Sequence, residues 1–269
     1  MEAGPAAADA SAHVISDALG DDVHIDGVDG HHLARVRRLR VGERVTVGDG
    51  QGQWREYVVA AIDGSELDLT ATAASHTVAR DVPAVTIAFA LTKGSKPDVV
   101  VRQLTELGVD RIVPLITARS INRPINQPIN QPINQMGRSG VEGQPDAFSD
   151  RLRRVAREAA MQSRRAWLPL VDDPCPISEL AGRAGLVVAE AGGDDPWMLP
   201  APGPEGWTLL VGPEGGFEAG EVAALGAGKR LDLGPHVLRA ETAAVAGAAM
   251  VLALRRQKIS HGAWANPEE

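Results

Sequence analysis

Two glycine-rich turns in the last quarter of the chain constrain its fold most strongly. The first covers 211–217, with the sequence Val-Gly-Pro-Glu-Gly-Gly-Phe, and the second covers 231–242. Each follows a short apolar run and precedes a stretch with a helical pattern. Turns of this kind lie at the carboxyl end of a strand, where open α/β sheets bind their ligands. The sequence therefore predicts one ligand pocket whose walls are largely backbone.

Length and composition limit the class of protein. The chain has 269 residues, which suits two domains, and its single cysteine, Cys175, excludes a disulfide framework. Residues 1–12 carry no signal-peptide pattern, and no apolar run approaches the roughly 20 residues of a membrane span. We therefore expect a cytoplasmic protein with no membrane partner.

The arginines are concentrated in two segments although the net charge is −8. Segment 31–44 holds five arginines against one acidic residue, and segment 151–165 holds six against one. Such local clusters on an acidic protein suit selective contact with phosphates. Solvated helix faces explain each cluster equally well, so both interpretations stay open.

The amino-terminal part has the pattern of a small β-rich domain with a basic helix. Gly-Asp-Gly at 48–50 and Asp-Gly at 63–64 are turn signals between short apolar runs. Leu33, Val36 and Leu39 lie at three-residue spacing, which indicates a helix. We predict this domain over 1–74, with strands at 23–25, 44–47, 54–62 and 66–70.

Strands and helices alternate over 83–258, which is typical of an α/β domain with a mostly parallel sheet. The last helix, 241–256, is so apolar that core packing or a subunit interface must cover both of its sides. Segment 121–146 begins with a Pro-Ile-Asn-Gln repeat whose prolines block helix and sheet, so we predict a flexible insertion. Further elements are predicted at 84–91, 97–107, 111–116, 151–162, 186–189, 207–211 and 218–225.

The first glycine turn has the composition of a ligand-binding loop. Gly212, Gly215 and Gly216 permit positive φ and close approach of the backbone to a ligand, and Glu214 can accept a hydrogen bond from a hydroxyl. A tight strand-to-helix turn with Glu214 as a cap is the alternative. The sequence has no Gly-x-Gly-x-x-Gly or Gly-Lys-Ser/Thr motif and no Cys/His spacing of a zinc site. We therefore expect neither a nucleoside triphosphate nor a metal.

Six segments recur in the same order in a known family. They are 91–96 (Leu-Thr-Lys-Gly-Ser-Lys), 105–109 (Thr-Glu-Leu-Gly-Val), 114–120 (Pro-Leu-Ile-Thr-Ala-Arg-Ser), 157–165, 212–216 and 233–243. One such segment alone would be weak evidence for a family, but six segments in the same order are specific evidence. Over about 23–255 the chain resembles the ribosomal RNA small-subunit methyltransferase E family.

The resemblance implies a fold, an activity and a cofactor. The family methylates N3 of a uridine in 16S ribosomal RNA with S-adenosylmethionine. Its members are homodimers of the SPOUT class, with a trefoil-knotted, mostly parallel α/β sheet and an amino-terminal PUA-like β-barrel that helps to hold RNA. The implied cofactor-binding residues are Glu190, Gly212, Pro213, Glu214, Gly215, Gly216, Leu233, Gly234, Leu238 and Arg239.

Methylation at uridine N3 requires loss of the N3 proton, which leaves negative charge on the uracil carbonyls. A cation beside those carbonyls stabilises the charge. Arg239 is the first candidate for this catalytic role and Arg165 the second, and Glu241 is a candidate proton acceptor. An ion pair of Arg239 with Glu241 or Glu214, which would only fix the loop, is the alternative interpretation.

Basic side chains are the predicted RNA contacts, because phosphate contacts position RNA without reading its sequence. One tyrosine and three phenylalanines offer little for base stacking, so docking on a folded RNA surface is favoured. The predicted partner is 16S rRNA within an assembled small-subunit particle. The candidate contacts are Arg35, Arg37, Arg38, Lys93, Lys96 and Arg119.

Two other functions are compatible with the sequence. A related knotted enzyme that methylates the ribose 2′-oxygen of RNA is one, although the Gly-Pro-Glu-Gly-Gly-Phe form and the β-rich domain favour N3 methylation. A non-catalytic RNA-binding or ribosome-assembly factor with the same fold is the other. The chain also departs from the family at 11–15, where the usual aromatic residues are missing and the pattern does not define a first strand.

Overall fold

The computed structural model of the chain describes residues 10–91, 97–120, 147–226 and 228–260, with side chains through 257. Contacts divide these residues into two units. The first unit contains the described residues up to Asp81 together with Arg157–Leu168, and the second unit contains the others. The insertion predicted at 121–146 lies outside the described residues.

The first unit is built on a six-stranded, largely antiparallel sheet. Its strands are β1 (Ala12–Ile15), β2 (Asp22–Ile25), β3 (Arg44–Gly48), β4 (Gln53–Asp63), β5 (Glu66–Ala71) and β6 (His76–Thr77). The strand order is β1-β3-β4-β5-β2, with β6 on β4; the β1–β3 pair is parallel and the other pairs are antiparallel. A short helix, α1 (Gly27–His31), continues as a π-helical turn at His32–Val36.

The core of the first unit follows from the alternation of apolar and polar residues along its strands. In β5, Leu67 and Leu69 are buried while Asp68 between them is exposed. Tyr57 of β4 joins this core, and its hydroxyl donates a hydrogen bond to the Gly20 carbonyl at 2.9 Å. Burial of each leucine contributes roughly 1.5–3 kcal/mol to the stability of the unit.

Arg157–Leu168 belongs to the first unit, and several of its side chains bond to other residues of that unit. The Arg157 guanidinium donates to the Asp29 carboxylate and to the Ile15 carbonyl, both at 2.6 Å. The ion pair with Asp29 leaves the Arg157 side chain only 35% exposed.

The second unit is built on a seven-stranded sheet whose described strand pairs are all parallel. Its strands are β7 (Val85–Ala90), β8 (Arg111–Ile116), β9 (Leu170–Val171), β10 (Cys175–Pro176), β11 (Leu186–Asp194), β12 (Trp207–Val211) and β13 (Lys229–Leu231). The order is β10-β8-β7-β12-β11-β13, with β9 on β8. Strands covered on both faces are apolar throughout, and β7 and β12 are buried along their whole length.

Four helices belong wholly or in part to this unit: α2 (Pro97–Leu107), α3 (Ala147–Gln162, of which 147–156 lie in this unit), α4 (Ala219–Ala224) and α5 (Ala240–Ser260). α2 begins at its proline and ends before Gly108, which has a φ of 101°, so the helix predicted at 97–107 is confirmed. α5 packs against α2, β7 and β12. Gly247 permits the close approach of α5, because a Cβ at that position would lie 2.4 Å from Leu209 Cδ2.

The structure adds elements that the sequence pattern does not indicate. β1 forms at Ala12–Ile15, the segment that lacks the aromatic residues of the family, and all four of its residues are buried. β9 and β10 have two residues each, which is too short for a periodic signal. β11 continues to Asp194, beyond its predicted end at 189, and its pairing with β13 shifts register in that extension.

Candidate active site

A cavity of about 330 Å³ lies at the carboxyl ends of β11, β12 and β13, a size in the range of small-molecule sites. Three segments line it: the irregular end of β11, the 212–217 turn after β12, and the 231–239 loop after β13, followed by the start of α5. The lining residues are Val188, Ala189, Glu190, Ala191, Val211, Gly212, Pro213, Glu214, Gly216, Phe217, Val222, Asp232, Leu233, Gly234, His236, Val237, Leu238, Ala240 and Ala243.

Eight of the ten residues predicted to bind the cofactor line this cavity: Glu190, Gly212, Pro213, Glu214, Gly216, Leu233, Gly234 and Leu238. The other two, Gly215 and Arg239, lie in the same two segments but not in the wall. The structure thus brings both glycine turns to one pocket, as the sequence predicts. Which of these residues contact a ligand stays a prediction.

The 212–217 turn depends on glycine at two positions. Gly216 has a φ of 70°, and its N–H donates to the Pro213 carbonyl at 2.8 Å, which closes the turn. A Cβ at Gly212 would lie 3.2 Å from carbons of the Phe217 ring, so glycine allows this ring to pack over the strand end. Glu214 is exposed at the tip, and no described residue bonds to its carboxylate.

The 231–239 loop is held by Asp232, a lining residue that the sequence analysis missed. The Asp232 carboxylate accepts hydrogen bonds from the N–H groups of Gly234 at 2.8 Å and Gly192 at 3.3 Å. Its own N–H donates to the Asp194 carbonyl at 3.0 Å. An aspartate two residues before a glycine with a φ of 129° is a turn signal that could have identified this role.

Apolar and acidic groups face the cavity together. Leu233 and Leu238 are half-buried in its wall. The Glu190 carboxylate pairs with the Arg230 guanidinium at 3.0 Å, and both side chains are about half exposed. The charge of Glu190 is therefore compensated within the protein, and the leucine part of the wall matches a ligand with an apolar ring.

Arg239 is exposed at the start of α5, between the lining residues Leu238 and Ala240. Its carbonyl accepts from the Ala243 N–H at 2.8 Å. Within the described part of the chain, its guanidinium pairs with neither Glu241 nor Glu214. The interpretation in which Arg239 only fixes the loop through such a pair is therefore not favoured.

Arg119 and Glu221 tie another loop to this site. The Arg119 guanidinium donates to the Gly215 carbonyl, and its Nε lies 4.0 Å from a carboxylate oxygen of Glu218. The Glu221 carboxylate accepts from the Ala118 N–H at 2.7 Å and from the Glu218 N–H at 2.9 Å. Arg119 was predicted to contact RNA, and that role stays a prediction.

Glu241 lies in the first turn of α5, and the other predicted RNA and catalytic residues lie in the first unit or outside the described residues. Arg35, Arg37 and Arg38 are all exposed, and the Arg37 guanidinium donates to the Ser11 carbonyl. The Arg165 N–H donates to the Ala160 carbonyl at 2.9 Å, which ends the helix α3. Lys93 and Lys96 are not among the described residues.

Among the described residues, neither the single cysteine nor the potential metal ligands form a second candidate site. Burial raises the pKa of Cys175 to about 11, so its thiol stays protonated at neutral pH. Among the described residues, no group of three or more His, Cys, Asp or Glu side chains has the arrangement of a metal site. In the same part of the chain, no helix is long and apolar enough to cross a membrane.

Both parts of the chain match models of known protein families. Residues 80–252 match the family model described as an RNA methyltransferase domain, and residues 25–71 match that of an RNA methyltransferase PUA domain. The first match alone covers more than half of the chain.

Relatives over most of the chain carry one name, ribosomal RNA small subunit methyltransferase E. The protein from Mycobacterium bovis is 33% identical over 245 residues, which cover 86% of this chain and 87% of the relative. The protein from Synechocystis sp. is 31% identical over 236 residues, which cover 83% of this chain and 70% of the relative.

Solved structures share the fold. The ribosomal RNA small subunit methyltransferase E of Neisseria gonorrhoeae, solved with S-adenosyl methionine, has a TM-score of 0.73 at 21% identity over 90% of this chain and 97% of that one. A Legionella pneumophila protein, solved with the cofactor SAM, has a TM-score of 0.72 at 23% identity over 90% and 96%. The predicted fold class, a SPOUT-type parallel sheet with a PUA-like domain, is confirmed. The chain belongs to the ribosomal RNA small subunit methyltransferase E family of RNA methyltransferases.

Proposed function

We propose that the chain transfers a methyl group from S-adenosylmethionine to N3 of a uridine in 16S ribosomal RNA. Family membership supports RNA methylation, and the names of the relatives support a small-subunit ribosomal RNA as the substrate. The observation that carries the proposal is the cavity enclosed by the 212–217 turn and the 231–239 loop, with Arg239 between two of its lining residues.

The lining of the cavity fits S-adenosylmethionine. The half-buried side chains of Leu233 and Leu238 suit the adenine ring, and the backbone groups of the glycine turns suit its polar edge. The exposed Glu214 carboxylate is available for ribose hydroxyls or for the cationic part of the ligand. When bound, this cofactor supplies an activated methyl group on a sulfonium.

Arg239 stabilises the reacting base. Uridine N3 becomes nucleophilic as its proton leaves, and negative charge then develops on the two flanking carbonyl oxygens. The Arg239 guanidinium has no ion-pair partner among the described residues, so its charge is available to the substrate. Holding N3 in line with the methyl carbon accounts for much of the remaining acceleration.

Two further catalytic assignments accompany Arg239. Glu241, half-buried in the first turn of α5, is the proposed proton acceptor. Arg165 is the second candidate for the cation that faces the uracil carbonyls.

The proposed substrate is held through phosphates and the proposed enzyme is a homodimer. Exposed Arg35, Arg37 and Arg38 in the PUA-like part supply phosphate contacts to 16S rRNA in an assembled small-subunit particle, in the cytoplasm. On α5, Ala249 and Ala253 are exposed one helical turn apart. A second copy that covers this apolar face forms the dimer.

Nucleoside mass spectrometry of ribosomal RNA from a deletion strain tests the reaction and its position on the base. We expect the loss of one 3-methyluridine from 16S rRNA and its return on complementation. Loss of a 2′-O-methylated nucleoside would instead support the ribose methyltransferase, and an unchanged profile would contradict both enzymes.

Calorimetry with S-adenosylmethionine separates an enzyme from a non-catalytic RNA-binding factor. We expect binding of one ligand per chain in the micromolar range, about −8 kcal/mol. A chain that binds rRNA but no S-adenosylmethionine would support the assembly factor.

A further inference from the structure

The loop that follows β8 is a turn closed by hydrogen bonds between Thr117 and Ser120. The Thr117 N–H donates to Ser120 Oγ, and the Ser120 N–H donates to the Thr117 carbonyl, both at 3.0 Å. The two hydroxyl oxygens are also 3.0 Å apart. These bonds fix the two residues at the tip of the turn, Ala118 and Arg119, relative to the end of the strand.

Both tip residues bond to the segment that carries the 212–217 turn. The Ala118 N–H donates to the Glu221 carboxylate at 2.7 Å, and the other oxygen of this carboxylate accepts from the Glu218 N–H at 2.9 Å. The Arg119 guanidinium donates to the Gly215 carbonyl. One carboxylate and one guanidinium therefore bridge two loops about 100 residues apart in sequence, which we call the Arg119–Glu221 clamp.

The 212–217 turn gains most from such a clamp because of its composition. Three of its six residues are glycines, which lose more backbone entropy on ordering than any other residue. Gly215 lies between Glu214 and Gly216, which both line the cavity. A bond to the Gly215 carbonyl thus restrains the part of the turn that faces the ligand.

We propose that Arg119 and Glu221 are positioning residues that hold the 212–217 turn in its ligand-binding conformation before the ligand arrives. The binding role of this turn rests on the proposed function. Pre-ordering lowers the entropy cost of binding, so the clamp raises the affinity for S-adenosylmethionine without touching it. Arg119 then acts on the cofactor site and not on RNA phosphates.

Calorimetry without RNA tests the clamp, since a phosphate contact has no effect in that assay. Arg119→Ala and Glu221→Ala should each raise the Kd for S-adenosylmethionine at least ~10-fold, about 1.4 kcal/mol. Glu221→Gln keeps one acceptor oxygen and should recover about half of that free energy. The double variant should be at most ~3-fold weaker than the weaker single variant, because both bonds restrain one turn.

Matched variants separate the clamp from a general loss of charge. Arg102→Ala and Glu106→Ala remove an exposed cation and an exposed carboxylate on α2. Both should bind S-adenosylmethionine within ~2-fold of the parent chain. At saturating cofactor, the kcat of each clamp variant should stay within ~3-fold, so the defect appears in KM.

Hydrogen exchange in the ligand-free protein reports the clamp independently of the proposed function. The Gly216 amide keeps its Pro213 acceptor in every variant, so its exchange rate measures opening of the turn. We expect at least ~5-fold faster exchange at this amide in Arg119→Ala, and about 3-fold faster exchange in Glu221→Gln, which preserves the shape of the side chain and one acceptor oxygen. If the parent chain fails to bind S-adenosylmethionine, the proposed function fails, while this measurement still decides the clamp.

Two results would overturn the clamp. One is an exchange rate of the Gly216 amide in Arg119→Ala and in Glu221→Gln that equals the rate in the parent chain. The other is a parental Kd for S-adenosylmethionine in Arg119→Ala together with a raised KM for RNA and a weaker dependence on salt, which would assign Arg119 to a phosphate.

Discussion

At the scale of single residues, the proposed chemistry depends on one arginine that has no ion-pair partner within the described chain. Arg239 lies between Leu238 and Ala240, which both line the cavity. The acidic lining residue Glu190, in contrast, pairs with Arg230 at 3.0 Å. In the proposed reaction, the unpaired charge of Arg239 stabilises the negative charge that develops on the substrate base.

Arg239→Ala should lower kcat at least ~10-fold, about 1.4 kcal/mol of barrier, with an unchanged Tm. The reason is loss of a cation from the charge that forms in the transition state. Methyl transfer to rRNA at saturating cofactor measures the effect, and Arg102→Ala on α2 is the matched control. Parental turnover in Arg239→Ala would assign this side chain to structure only.

His13 makes the stability of the first unit depend on pH. Burial lowers the pKa of His13 from 6.5 to about 4, while its Nδ1 lies 2.9 Å from the Thr46 hydroxyl. Above pH 6.5 the residue is neutral in both the folded and the unfolded chain. Below pH 6.5 the unfolded chain binds a proton that the folded chain excludes, so stability falls as the pH approaches 4.

Between pH 7 and pH 5 this residue alone should cost roughly 2 kcal/mol of unfolding free energy. Urea unfolding of the parent chain and His13→Gln at both pH values measures it: the loss on acidification should be roughly 2 kcal/mol smaller in the variant. The exposed His32→Gln is the control and should match the parent. An equal loss in His13→Gln would show that His13 is protonated in the folded state.

Glycine positions of the site are predictable from sequence, and the partners that fix them are not. Positive φ and close backbone approach exclude most other residues at Gly216 and Gly234, so the sequence itself marks these turns. The bond of Glu221 to Ala118 joins residues 103 positions apart. Local pattern contains no information on such a contact, and Asp232 was missed although its spacing to a glycine is a local signal.

At the scale of elements, long periodic segments are predictable and very short strands are not. α2 was predicted with its observed ends because a proline and a glycine mark them. β9 pairs with β8 through two residues, which only the tertiary structure selects. A buried ion pair between distant elements cannot be predicted from local sequence pattern either. Arg255 of α5 is 3% exposed and bonds to Asp110, just before β8, at 2.7 Å.

Asp110→Ala should destabilise the protein by about 3 kcal/mol or more. The substitution leaves the Arg255 charge buried without its carboxylate and also removes the acceptor of the Val85 N–H, 2.8 Å away. Denaturant unfolding measures the change. Asp150→Ala, which removes a half-exposed partner of Arg153, should cost less than ~1 kcal/mol, and an equally small cost for Asp110→Ala would contradict the role of the buried pair.

At the scale of the whole molecule, the order of elements predicts a small β-rich part followed by a part with a parallel sheet. The structure differs from this simple division in one segment. Arg157–Leu168 follows the start of the parallel sheet in sequence but joins the first unit. The physical reason is the half-buried ion pair between Arg157 and Asp29, at 2.6 Å. Local sequence pattern does not predict this pair, because its two residues lie far apart in the chain. The predicted boundaries at 74 and 83 stay a prediction.

The proposed homodimer predicts that a charge on the exposed face of α5 separates the subunits. Ala249→Arg should convert a dimer to a monomer in sedimentation velocity, because a buried unpaired charge costs several kcal/mol. Ala223→Arg, at an exposed position of α4, should leave the dimer intact. A monomeric parent chain, or a dimeric Ala249→Arg chain, would contradict this interface.

A crystal structure of the chain with S-adenosylmethionine is the most direct measurement. We expect the adenosyl group between the 212–217 turn and the 231–239 loop, against Leu233 and Leu238, with the methyl carbon facing the side on which Arg239 lies. Electron density for the cofactor at any other place in the protein, or an empty cavity at saturating cofactor, would contradict the proposed site and the reaction assigned to it.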